Sequence, residues 1–262
     1  ITRSSHSSSP ARWARIAAAR PSGRVSPSSL DMPDICVYVL CTASVVTKSI
    51  VRNTSSSSSS SVTILALQQN RQATAFWPKW RRSPTVKSVT YLNGDLYYGK
   101  SGFSGEFGHF PFLDNGQICR CGKIGCLETG ASGSALQRIV TEKLEAGCPS
   151  MLADKYKTGK ELTLNDLLGA VEEEDVVAID AMGEIGTTLG RGIAGLINIF
   201  NPEMVILGGK LTVGGDYLML PVRAAIKKYS LNIVSKDTTI VFSKLGRKAG
   251  SLGCCMLART RF

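Results

Sequence analysis

Apolar residues recur at three- and four-residue intervals over one long stretch, Val176 to Phe200. Ala178, Ala181, Met182, Ile185, Leu189, Ile193, Leu196 and Ile197 there share a helical face. A helix of that length extends about 38 Å, enough to cross a whole lobe. Glycines at 183, 186, 190, 192 and 195 punctuate the segment. Each lowers helicity by about 1 kcal/mol relative to alanine, so close approach by another element or a nucleotide must hold the helix. Asn201-Pro202 ends it, and Met204 to Leu207 follows as a short apolar run suited to a buried strand, closed by Gly208-Gly209.

Ser132 to Gly147 has the same texture: Ser132 or Ser134 as N-cap, Leu136, Ile139, Val140 and Leu144 at helical spacing, and Gly147 as the stop. A short helix is expected from Thr163 into the acidic run Glu172 to Asp175, another from Asp216 to Tyr229, a strand at Thr239 to Phe242 and a terminal helix from Ala249. Helices alternating with strands indicate an α/β lobe. From Tyr91 the pattern is strand and turn, with glycines at 94, 99, 102, 105 and 108, as in tight hairpins and backbone lying close to a ligand.

Residues 1–88 show no sustained period. Ile35 to Val46 (ICVYVLCTASVV) is their one long apolar run, readable as a buried strand or an accident, and too short for the ~20 residues of a membrane span. Composition sharpens the division. Residues 1–90 hold 20 serines, including Ser55 to Ser61, and 12 Lys/Arg against 2 Asp/Glu; residues 91–262 hold 19 against 18. The formal charge of +11 thus belongs almost wholly to the first third, and does not mark the remainder as a nucleic-acid binder. Such Ser/Arg-rich text buries too little apolar surface to offset chain entropy, so residues 1–88 read as a low-complexity segment, disordered or an aberrant out-of-frame translation. Gln68 to Arg82 mixes tryptophan with basic residues, and reads as a solvated stretch rather than a nucleic-acid platform. Without a secretory pattern, a cytoplasmic location is expected.

Of eight cysteines, Cys119, Cys121 and Cys126 fall close together while Cys36, Cys41, Cys148, Cys254 and Cys255 are scattered. With His109 they form His-x9-Cys-x-Cys-x4-Cys. Three thiolates and an imidazole are a donor set that tetrahedral structural zinc favours, and Gly122 and Gly125 let the backbone turn between ligands. Four protein ligands leave no open position. The metal is therefore expected to staple the loop rather than activate water.

Gly105-Glu106-Phe107-Gly108-His109, followed by Cys119-Arg120-Cys121-Gly122-Lys123-Ile124-Gly125-Cys126-Leu127-Glu128, resembles the signature of the ROK family, the bacterial sugar kinases and sugar-responsive repressors. The likeness extends back through Asn93 to Gly102, and forward to Asn201-Pro202-Glu203 and Gly208-Gly209, covering residues 89–262 as a sugar-binding lobe. It implies an actin-like, hexokinase-like (ribonuclease H-like) ATPase lobe, largely the C-terminal half of that fold, with a structural zinc loop. It further implies that Glu106, His109 and Glu128 touch sugar hydroxyls, His109 also binding the zinc, and that Gly208-Gly209 is an adenosine-side loop. Read alone, that Gly-Gly pair is equally a plain connecting turn. Carboxylates suit hydroxyl recognition because each oxygen accepts hydrogen bonds of defined direction.

Three further features of the family's kinases are not found: an Asp-x-Gly phosphate loop, an Asn-Asp pair supplying the general base, and a second glycine-rich loop. Asn70-Arg71-Gln72 and Thr85-Val86-Lys87-Ser88-Val89-Thr90 stand where the last two belong. Without that base and those backbone amides this chain is not expected to phosphorylate sugar. The resemblance then implies a sugar-responsive transcriptional repressor, binding a monosaccharide here and DNA through a further N-terminal domain. The alternative is an ATP- and Mg2+-dependent, glucokinase-like kinase with a scrambled N-terminal lobe. Either implies a homodimer or homotetramer and no membrane.

Overall fold

The stretch Val176–Phe200 is one helix of 25 residues. Asp175 caps its start, accepting a hydrogen bond from the Ala178 amide at 2.9 Å, and Asn201 stops it by turning left-handed at φ 43°. This computed structural model describes residues 35–41, 86–92, 95–249 and 252. The serine run, Gln68 to Arg82, Asn93-Gly94 and Cys254-Cys255 lie outside them.

Five strands form one mixed sheet in the order β3-β2-β1-β4-β5. They are β1 (Ile35–Cys41), β2 (Val86–Leu92), β3 (Asp95–Leu96), β4 (Met204–Gly208) and β5 (Thr239–Phe242). The apolar run of the first third therefore supplies the central strand. It runs parallel to β2, with Ile35 opposite Val86, and antiparallel to β4, with Leu40 opposite Met204. Val37 and Val39, two residues apart and so on one face, are fully buried. β1 and the first residues of β2 thus lie on the amino-terminal side of residue 88.

Between β3 and β4 lie α1 (Glu128–Ala131), α2 (Gly133–Glu145), α3 (Ala153–Lys157), α4 (Leu164–Glu172) and α5 (Val176–Phe200); α6 (Gly215–Tyr229) and α7 (Asn232–Ser235) precede β5. Ser132, not Ser134, caps α2 by accepting from the Ala135 amide at 3.2 Å. Thr163 and Asp166 form a reciprocal capping box on α4. The C-terminal helix expected from Ala249 is preceded by a 3-10 turn, Gly246–Lys248, and its continuation lies largely outside the described residues.

The glycines of α5 divide by what faces them. A Cβ on Gly190 would stand 2.5 Å from the Val222 carbonyl oxygen, and one on Gly186 would stand 2.8 Å from that of Leu218. Both carbonyls belong to α6, so a neighbouring helix accounts for these two positions. Gly183 instead has only Pro221 Cγ nearby, at 3.9 Å. Gly190→Val should therefore push α6 away and cost about 3 kcal/mol by chemical denaturation. Gly183→Ala should stabilise by up to about 1 kcal/mol. Equal effects would contradict this packing.

Candidate metal centre

Residues 105–127 lie in the loop between β3 and α1, which backbone hydrogen bonds fold back on itself. A short 3-10 turn, Phe107–His109, is closed by the His109 amide donating to the Glu106 carbonyl at 3.0 Å. The chain then returns: Pro111 bridges Cys126, Ile118 bridges Ile124, and the amides of Phe112 and Leu113 both donate to the Gly125 carbonyl at 2.8 Å. Gly125 sits at φ 74°, where a Cβ would lie 2.0 Å from the Leu113 oxygen. No other residue fits that position. Beneath the loop, Phe107 and Leu127 rest on Gly192 of α5, each within 2.9 Å of where a Cβ would project. The longest helix is thereby the floor of the loop.

This fold brings together the four residues singled out from spacing. One donor atom each from His109, Cys119, Cys121 and Cys126 lies within 4.8 Å of the others. Cys119 Sγ is 3.4 Å from His109 Nδ1, and Cys121 Sγ is 3.6 Å from Cys126 Sγ. A tetrahedral cation with metal–sulfur bonds of about 2.3 Å and metal–nitrogen bonds of about 2.0 Å separates its ligand atoms by roughly 3.5–3.8 Å. Both separations are close to that spacing, and the group can hold a metal ion.

Cys119 and Cys126 are buried and Cys121 is exposed. Burial pushes the Cys119 and Cys126 thiols above the ordinary range, while the Lys123 amide holds Cys121 below it. A cation must displace the protons that burial favours on Cys119 and Cys126, which couples metal binding to proton release.

The expected sugar-contacting residues adjoin this cluster. Glu128, the first residue of α1, is only 7% exposed. Its Oε1 accepts from Cys119 Sγ at 2.8 Å and lies 3.7 Å from His109 Nδ1, while its Oε2 is buried without a hydrogen-bond partner. Glu106 Oε2 stands 3.8 Å from His109 Nε2. Both carboxylates thus flank the one histidine. Gly208 and Gly209 lie on another element, the carboxyl end of β4, with Gly209 at φ 109°.

Sequence reading missed the braces of the loop. Asn115 Nδ2 donates to Thr129 Oγ1 at 3.0 Å, and Thr129 Oγ1 donates to the Cys126 carbonyl at 2.8 Å, tying the residue after Glu128 to the turn at Asn115-Gly116. Asn115-Gly116 is a turn signal that could have pointed there. The Arg191 guanidinium lies 5.1 Å from both the Phe112 and Tyr229 rings, joining the loop to α6 across α5. No pattern in the sequence announces that contact.

Comparison with known proteins accords with this geometry. The family model described as ROK family matches residues 89–261, and the chain belongs to that family. A glucokinase of Halalkalibacterium halodurans is 36% identical over 162 residues, 62% of this chain and 49% of the relative. Among solved structures, a ROK family transcriptional regulator, a homologue of the Escherichia coli MLC protein, superposes with a TM-score of 0.57 at 34% identity, over 64% of this chain and 42% of that one. A ROK family glucokinase from Streptomyces griseus, solved with glucose and AMPPNP, gives 0.57 at 25% identity, over 74% and 66%. The relatives bear the names of glucokinases and of sugar repressors, and the chain spans about half of the curated relatives' length, from 37% to 53%. The fold is the actin-like, hexokinase-like α/β fold of these proteins. Among the described residues no helix is long and apolar enough to cross a membrane.

Proposed function

We propose that residues 89–262 are the zinc-stapled, monosaccharide-binding lobe of a sugar-responsive transcriptional regulator. Zinc is the metal suited to three sulfurs and one imidazole in a closed tetrahedron. His109 Nδ1 is the ring nitrogen beside Cys119 Sγ, which supports it as the metal donor and leaves Nε2 for Glu106 or a sugar hydroxyl. Reduced thiols of this kind belong in the cytoplasm.

The observation that carries the reading is the unpartnered, buried Oε2 of Glu128. A buried carboxylate oxygen without a donor costs free energy, and such groups collect where a ligand supplies the missing hydrogen bond. Metal binding enlarges the demand. Once Cys119 is a thiolate it can no longer donate to Glu128 Oε1, so both oxygens are left to outside donors. Vicinal sugar hydroxyls provide such a pair. DNA binding would come from parts of the protein outside the described residues, with inducer shifting a two-state equilibrium, and the family's homodimers or homotetramers supply the subunits for it.

The second reading, the lobe of an ATP-dependent sugar kinase, draws support from the identity to a glucokinase and from Gly208-Gly209, placed at the end of a strand where a nucleotide's adenosine could lie. Calorimetric titration of hexoses and N-acetylhexosamines into the zinc-loaded chain, with and without ATP and Mg2+, separates the two. Sugar binding indifferent to nucleotide is the expected result. Sugar phosphate formation would transfer the assignment to a kinase, and no sugar binding at all would remove both.

A further inference from the structure

The sulfurs of the cluster are not equivalent. Cys119 Sγ lies 2.8 Å from Glu128 Oε1 and 3.4 Å from His109 Nδ1, and also neighbours the other two sulfurs. Cys121 and Cys126 are turned toward each other, 3.6 Å apart, the first exposed and the second fully buried. The segment between the two sulfurs contains Gly122 and Gly125, at φ 86° and 74°. That short glycine-hinged turn has only to contract to the ~2.05 Å of a disulfide.

We infer that Cys121 is an oxidative modification site, at which a peroxide-class oxidant closes a Cys121–Cys126 disulfide, expels the metal and lowers sugar affinity. The inference rests on the zinc reading above. The Cys121 thiolate sulfur attacks the peroxide O–O bond, taking one oxygen as sulfenic acid and releasing hydroxide. The Cys126 thiolate then attacks that sulfur, forming the S–S bond and releasing a second hydroxide. Two electrons have passed from the sulfurs to the peroxide. Cys119 and His109 are the only donors of the four left to the ion, which departs as a divalent aqua ion. With it goes the restraint on the loop that positions Glu128 and His109.

The protease map makes the pairing readable, because cleavage after Lys100, Arg120, Lys123 and Arg138 puts Cys119, Cys121 and Cys126 into three different tryptic peptides. The zinc-loaded full chain is treated with hydrogen peroxide, released zinc is followed with a chromophoric chelator, and the unreduced protein is digested. The expected result is release of about one zinc per chain, residues 121–123 joined to residues 124–138, and sugar affinity lower by ~10–100-fold. A thiol reductant with added zinc should restore all three, and Cys148→Ser, outside the cluster, should behave like the parent. A chain without zinc before oxidation refutes the metal centre itself. Zinc retained after the bridge has formed, a bridge to Cys119, or Cys121 recovered as sulfinic acid with Cys126 free would each overturn the switch while leaving the centre standing.

Discussion

Cys126→Ser protein is expected to lose its metal, its sugar affinity and several kcal/mol of stability together. Cys126 has no exposed surface and bridges Pro111 across the loop, two residues before α1. Serine supplies a shorter, harder donor that stays protonated. Structural zinc in small sites is held with roughly 10–16 kcal/mol of apparent free energy. One ligand in four, taken as an equal share, is worth about 2.5–4 kcal/mol, or a fall in zinc affinity of roughly 60–700-fold. Because the unfolded chain offers no assembled site, that loss is also a loss of folding free energy. Elemental analysis, chelator competition and thermal melting of parent and variant measure the three effects. A variant that kept stoichiometric zinc would remove Cys126 from the ligand set, and one that lost zinc but kept its melting temperature would show that the loop holds without the metal.

Glu128→Gln is expected to separate the sugar from the metal. The amide matches the carboxylate in shape but replaces one acceptor oxygen by a donor, facing hydroxyls that had been donating to it. Hydrogen bonds to a buried charged group are worth about 1.5–3 kcal/mol, so affinity for the preferred sugar should fall by roughly 10–150-fold. Zinc content should not change, because no metal donor is removed. Glu106→Gln should cost less, since the Glu106 side chain is 36% exposed and water can replace what is lost. Calorimetry on zinc-quantified protein checks both variants. Unchanged sugar affinity in Glu128→Gln would move the carbohydrate site away from the cluster.

Much of the local structure was legible before any coordinates. The span of α5, a serine cap at 132 or 134, the helix start at Thr163, and the strands at β4 and β5 are written in periods and capping residues, which act within a few residues of themselves. The same holds for the cluster: His109, Cys119, Cys121 and Cys126 are close in sequence, and glycines between them leave the turn few ways to close. The family likeness was carried by those same residues, and the match over residues 89–261 upholds it.

What sequence could not decide was partnership at a distance. Ile35–Cys41 is a short apolar run in serine-rich text, and nothing local tells a central strand from an accident; only pairing with β2 and β4 does so. The glycines of α5 look alike along the chain, yet Gly186 and Gly190 meet carbonyls of α6 while Gly183 and Gly195 meet almost nothing. The tilt of Arg191 between Phe112 and Tyr229, and the unsatisfied Oε2 of Glu128, are likewise products of which surfaces pack together. Hydrogen-bond caps and metal-ligand spacing are short-range and survive as text. Burial and close approach depend on elements far apart in the chain, and exist only once it has folded.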